Sequence, residues 1–160
     1  MNRVIGTAEQ HNINVYYQDC DSLHIFNDDI ERLAKIYKIK YGKDLIGKQM
    51  TQYHCDFDSF DGAVGAIHSR KLIALGKKSY LDILVDEQGH EGYHTRMKGI
   101  PKQVILNKCK RMNITVEELY ERMYHGESIT FNLLDGCNCF KKTKSYQQTN
   151  LNQFSRTVKF

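Results

Sequence analysis

Tyr17-Gln18-Asp19-Cys20-Asp21-Ser22 sets two carboxylates one residue apart, between the β-type runs NINVY (12–16) and LHIF (23–26). Two short strands meeting at an acidic turn predict a β-hairpin with carboxylate oxygens at its tip. Such oxygens are the hard ligands that Mg²⁺ takes. Two carboxylates about 4 Å apart repel by roughly 4 kcal/mol at a surface-like dielectric, and a bound cation relieves that cost. An Asp-rich solvated turn is the plain alternative, since such turns are common between strands.

Outward from this stretch, the chain alternates helix and strand signals. Val4, Ile5 and Ala8 recur at helical spacing over residues 2–10. Asp28 and Glu31 resemble a capping box ahead of a helix that carries Ile30, Leu33, Ala34, Ile36, Tyr37 and Tyr41 on one face and stops near Gly42. From Lys48 the pattern turns to strands: MTQYHCDF, VGAIHS, KLIALG, SYLDILV and GYHTRM, with a turn at Gln88-Gly89. Pro101 suits the first position of a helix containing Val104, Ile105, Leu106 and Cys109. Thr115-Val116-Glu117-Glu118 is a capping box for a second helix. Ile129–Leu134 reads as a further strand, and a polar tail from Lys141 closes on FSRTVKF. The order predicts an α+β fold.

Composition narrows the class. The chain has 160 residues, one proline, no tryptophan and no apolar run long enough to span a bilayer. Its first residues, MNRVIGTAEQHN, lack the apolar stretch of a signal peptide. Five irregularly spaced cysteines (Cys20, Cys55, Cys109, Cys137, Cys139) argue against a disulfide framework and for an intracellular, reducing compartment. Cys137-x-Cys139 has no second Cys or His pair at zinc-finger spacing. The net charge of +4 is uneven. Residues 1–62 hold 7 Lys/Arg against 10 Asp/Glu, and residues 63–160 hold 16 against 9. An acidic part beside a basic part suits a metal site next to a polyanion track.

Other motifs are weaker. Asp56-Phe57-Asp58-Ser59-Phe60-Asp61-Gly62 fails the EF-hand register, with Phe60 at the fifth position and Ile67 at the twelfth. His90-x-x-x-His94 lacks the zinc-protease Glu and reads as solvated surface. Asn113-Ile114-Thr115 fits a glycosylation sequon but conflicts with the cysteine usage. Along Lys78-Ser79-Tyr80, strand alternation places Lys78 and Tyr80 on one face, a cation beside a phenol hydroxyl that suits a phosphate or sugar edge. Arg96, Lys98, Lys102, Lys108, Lys110 and Arg111 add positive charge downstream.

Taken together, these residues resemble the C-terminal part of a family B DNA polymerase, in the protein-primed branch of viruses, organellar linear plasmids and Maverick-type mobile elements. Tyr17–Ser22 is similar to that family's YxDTDS palm motif, and Lys78-Ser79-Tyr80 to its KxY motif. GKQMTQYHCDFD, LGKKSYLDIL, RMKGIP and FSRTVKF extend the likeness over nearly the whole chain. The resemblance implies a partial polymerase palm over residues 1–97, an antiparallel sheet with a motif-bearing hairpin and packed helices. A small helical and β thumb that grips duplex DNA would occupy residues 98–160. It implies catalytic and metal-binding roles for Asp21 and Asp19, support of the nucleotide site by Tyr17 and Ser22, and primer contacts by Lys78 and Tyr80. Arg96, Lys98 and Lys102 would continue the DNA track.

The implied reaction is DNA-directed nucleotidyl transfer with two Mg²⁺ ions, acting on primer–template DNA and deoxynucleoside triphosphates. It would serve replication at a viral site, or in the host's organelle or nucleus. Cys20 departs from the family's usual threonine; as a small side chain it is expected to be tolerated. No DxxSLYP-like or KxxxNSxYG-like stretch occurs, so a further carboxylate and the fingers lysine would come from an N-terminal portion that also carries the exonuclease. The expectation is a fragment or one half of a split polymerase, inactive alone, with a terminal protein as a possible partner and no membrane association. Two alternatives stand beside it: a non-catalytic DNA-binding module, and a metal-binding domain unrelated to nucleic acid.

Overall fold

A computed structural model describes residues 1–55, 57, 60–133 and 155–160. The fold is mixed α+β, with four helices and small antiparallel sheets among the described residues. It forms two compact units, Met1–Asp58 and Ser59–Phe160.

The first unit opens with α1 (Asn2–Gln10), which buries Val4, Thr7 and Ala8. Thr7 satisfies its buried hydroxyl by donating to the Arg3 carbonyl one turn back, at 2.7 Å. The hairpin strands β1 (Tyr17–Asp19) and β2 (Ser22–His24) follow, shorter than the run from Ile13 suggests. Helix α2 (Asn27–Tyr41) begins one residue before the expected capping box. Its N-cap is Phe26, with no side-chain cap, so Asp28 and Asp29 serve the first turn through the helix dipole. The end is as predicted: Gly42 takes φ +68° and donates its N–H to the Lys38 carbonyl. Of the expected apolar face only Leu33 is fully buried, in a small core with Val4, Ala8, Ile13 and Leu45. Burying one such side chain is worth about 1.5–3 kcal/mol.

The stretch at 50–57 is not a strand in its described residues. Tyr53 makes a single parallel bridge to Ile46. The Gln52 side chain instead accepts from the Gln49 N–H at 2.9 Å, and Thr51 sits at φ +78°. Local side-chain capture and a positive φ override the β-prone composition.

The second unit is built on an antiparallel meander of β3 (His68–Gly76), β4 (Ser79–Val85) and β5 (Glu91–Met97), in that spatial order. VGAIHS and KLIALG, expected as two strands, contribute to one continuous β3, irregular between Ser69 and Lys71 and between Ala74 and Gly76. Helices α3 (Lys102–Met112) and α4 (Val116–Tyr124) follow, then β6 (Ile129–Asn132), paired with β7 (Ser155–Val158). Pro101 is the N-cap of α3, one position before the expected one, and Asn113 closes that helix in the left-handed region. The predicted cap of α4 forms as drawn, with the Glu118 N–H donating to Thr115 Oγ1 at 3.0 Å.

Leu81, Ile83, Ile73 and Met97 from the sheet pack with Val104, Ile105 and Cys109 of α3, with Leu119, Tyr120 and Met123 of α4, and with Phe131 of β6. Tyr120 is fully buried and donates its hydroxyl to the Arg96 carbonyl at 2.9 Å. Burial pushes its phenol well above the ordinary range. The expected division after residue 97 therefore does not match a gap in packing, because Met97, Ile100 and Val104 share one core. The compact boundary lies earlier, between Asp58 and Ser59. No helix among the described residues is long and apolar enough to cross a membrane.

Candidate functional site

The hairpin in the first unit pairs Tyr17 with His24, Gln18 with Leu23, and Asp19 with Ser22. Directly paired residues share a sheet face, so Tyr17, Asp19, Ser22 and His24 line one side. Cys20 and Asp21 form the two-residue loop. Cys20 carries φ +49° while Asp21 keeps a negative φ. The loop leaves Asp21 exposed at the tip and Asp19 half-buried beside it.

Neighbouring side chains brace the loop. The Ser22 hydroxyl donates to the Asp19 carbonyl at 3.0 Å, and Cys20 Sγ lies 3.3 Å from Asp19 Oδ1. Tyr17 packs edge-on against His24 at 5.4 Å between centroids, and His24 packs edge-on against Phe57 at 6.2 Å. Burial, then the phenol of Tyr37 and the carboxylate of Asp21, raise the Tyr53 hydroxyl above its ordinary range. The result is a supported pair of hard oxygen donors. Among the described residues, no group of three His, Cys, Asp or Glu side chains could hold a metal ion.

The basic residues lie in the second unit. Here the sequence expectation needs a correction. Lys78 is not on a strand face with Tyr80. Gly76 pairs with Ser79, so Lys77 and Lys78 form a two-residue loop, and Lys78 takes φ +59°. The irregularity between Ala74 and Gly76 ends β3 at the point that makes Lys78 a loop residue. Tyr80 is on β4, directly across from Arg96 of β5. Ser79 pairs with Met97, and its hydroxyl accepts from the Lys98 N–H at 3.3 Å. Lys78 and Lys98 thus leave the same end of the β4–β5 ladder. Lys102 begins α3, and its Nζ lies 3.5 Å from the Tyr93 carbonyl oxygen.

No protein-family model, curated protein or solved structure matches this chain.

Sequence reasoning missed the polar face of the meander. His94, read as solvated surface, is half-buried and stacks on Tyr80 at 5.8 Å and 26°. Its Nε2 lies 3.4 Å from Tyr80 Oη. Asp82, directly opposite His94, has no solvent exposure and accepts the Ser69 hydroxyl at 2.7 Å. His90, the other member of that pattern, directs Nδ1 at Asp86 Oδ2, 2.8 Å away. The visible signal was Asp82 two residues after Tyr80, on the same strand face; its partners come from other strands. An open pocket of about 550 Å³ at the end of α4, lined by Glu118, Glu121, Arg122, His125, Gly126 and Glu127, contains none of the residues named from sequence. Asp56, Asp58, Cys137 and Cys139 lie outside the described residues.

Proposed function

We propose that this chain is the C-terminal palm-and-thumb portion of a family B DNA polymerase, of the protein-primed viral, plasmid or mobile-element kind. The observation that carries the reading is the two-residue hairpin loop between Tyr17–Asp19 and Ser22–His24, with Asp19 ending the first strand and Asp21 in the loop. The basic end of the β4–β5 ladder supports it, with Lys78, Lys98 and the Tyr80–Arg96 pair as a track for a phosphodiester backbone.

The donor set suits Mg²⁺, which is commonly held by one or two carboxylates together with substrate phosphates. Asp21 and Asp19 would hold it, with another carboxylate supplied from outside this chain. When bound, the metal pair supplies activation of the primer 3′-hydroxyl and charge neutralisation at the leaving pyrophosphate. The chain's own residues do the positioning. Ser22 and Tyr17 fix the hairpin, while Tyr80, Lys78, Arg96, Lys98 and Lys102 contact primer–template DNA.

The test is primer extension with Mg²⁺ and four deoxynucleoside triphosphates, using this chain with and without a co-expressed palm–fingers half. Incorporation only in the mixture, abolished by Asp21→Ala with unchanged circular dichroism, is the expected result. Incorporation that survives Asp21→Ala overturns the catalytic role. Salt-sensitive DNA binding with no incorporation in any mixture favours the non-catalytic binding module, which the basic second unit also supports.

A further inference from the structure

The last strand, β7, meets the meander at its basic end. Gly76 closes β3 and pairs with Ser79, which pairs with Met97 at the end of β5. The chain then turns at Lys98-Gly99, where the Ile100 N–H donates to the Met97 carbonyl at 2.9 Å and Gly99 takes φ +76°. A Cβ on Gly99 would meet the Arg156 guanidinium, and one on Gly76 would lie 3.9 Å from the Phe160 ring. In extended chain Arg156 and Phe160 are about 13 Å apart, and β3 and β5, with β4 between them, about 10 Å apart. The segment from Arg156 to Phe160 therefore runs across the end of the meander, from the β5 side to the β3 side.

Arg156 lies on the inward face of that strand. It pairs with Phe131, which has no solvent exposure, and Val158, next on the same face, packs against the core. The arginine is half-buried as a result, and among the described residues no carboxylate pairs with it. Residues 72–81, 96–116 and 155–160 contain no Asp or Glu. A partly desolvated charge without a counter-charge is unfavourable. A guanidinium has N–H donors and no acceptor, so its complement is an anion. Its planar fork matches two oxygens of one phosphate. The missing side chain of Gly99 leaves room for that fork against the turn that carries Lys98.

We propose that Arg156 is a further phosphate-binding residue, brought by β7 to the Lys98-Gly99 turn, where its guanidinium takes two oxygens of one DNA backbone phosphate. The inference rests on the DNA-contact role proposed for Lys98 and Lys102. The test is fluorescence anisotropy of a labelled primer–template duplex with the full chain, at salt concentrations from about 50 to 200 mM. Arg156→Gln removes the charge, and Arg156→Lys keeps the charge without the fork. Circular dichroism of each variant checks that it is folded.

Arg156→Gln is expected to weaken binding about tenfold. The slope of log affinity against log salt should fall in magnitude by about 1. Arg156→Lys should restore the slope and leave the affinity below that of the unaltered chain. Unchanged affinity and slope in Arg156→Gln overturn the inference, while a lowered slope in Lys98→Gln and Lys102→Gln leaves the rest of the track standing. Weaker binding with an unchanged slope also overturns it, because Arg156 then acts through packing on Gly99 and not through charge. If Arg156→Gln does not fold, Arg156→Lys decides: affinity equal to that of the unaltered chain overturns the two-oxygen contact. An unaltered chain that does not bind the duplex overturns the track itself, and the inference with it.

Discussion

Ser69 on β3 donates its hydroxyl to Asp82 on β4 at 2.7 Å, which seats a carboxyl group with no solvent exposure in the middle strand of a three-stranded sheet. Burying such a group is costly unless it is hydrogen-bonded. Ser69→Ala removes a donor and leaves the carboxyl in place. The expected cost is about 1–3 kcal/mol in urea unfolding, with an unchanged slope. Asp82→Leu together with Ser69→Ala removes both partners and should recover part of that loss, because apolar replacement of a whole pair is often nearly neutral. A double variant at least as unstable as Ser69→Ala alone would show that the pair does more than satisfy itself.

Asp86 sets an acid limit on stability. Burial alone would raise its carboxyl. The His90 ring, then the N–H groups of Val64, His90 and Gln88, outweigh that and hold it well below the usual carboxylate range. A carboxyl depressed in the folded state is deprotonated there while the unfolded chain still binds a proton near its ordinary value of about 4. The stabilisation is therefore complete above that value and fades as the pH falls through the lower, folded one. Thermal unfolding between about pH 5 and 2 should show a steep loss of midpoint in the unaltered chain. Asp86→Asn should start lower at neutral pH and lose less over the same range. Parallel curves would remove Asp86 from the acid transition.

Local chemistry was legible where sequence neighbours decide it. The Thr115–Glu118 cap, the Gly42 stop and the hairpin around Asp19 and Asp21 each depend on residues a few positions apart, and each forms. Lys78 was misplaced because Lys77-Lys78 carries none of the Gly, Asn or Asp signals of a tight turn. The β-prone run around Tyr53 lost to the Gln52 side chain and the positive φ of Thr51. The polar face of Ser69, Tyr80, Asp82 and His94 was invisible for another reason: it joins three strands through their register, and alternation within one strand cannot show it. The pairing of Ile129 with Val158 is likewise a long-range choice that no local window contains.

Gly99 carries a second stability test. It adopts φ +76°, and a Cβ there would meet the guanidinium of Arg156 from β7. The guanidinium lies at the end of a flexible chain and can move, so backbone strain sets the cost. Gly99→Ala should destabilise by about 1–2 kcal/mol, since the left-handed conformation penalises a Cβ by that amount. Gly99→Asn should lose less, because asparagine visits this region more readily. Equal losses for the two variants would point to displacement of Arg156 in place of backbone strain.

Lys78 tests the DNA track without touching the hairpin carboxylates. It sits at φ +59° in the β3–β4 loop, so Lys78→Ala would mix charge removal with backbone strain. Lys78→Asn removes the charge and keeps a residue suited to that conformation. If Lys78 contacts a backbone phosphate, its loss releases one fewer counterion on binding. The slope of log affinity against log salt should then fall in magnitude by about 1, with a similar loss for every duplex sequence tried. A slope identical to that of the unaltered chain would take Lys78 off the backbone track, leaving Arg96, Lys98 and Lys102 to account for any salt dependence that persists.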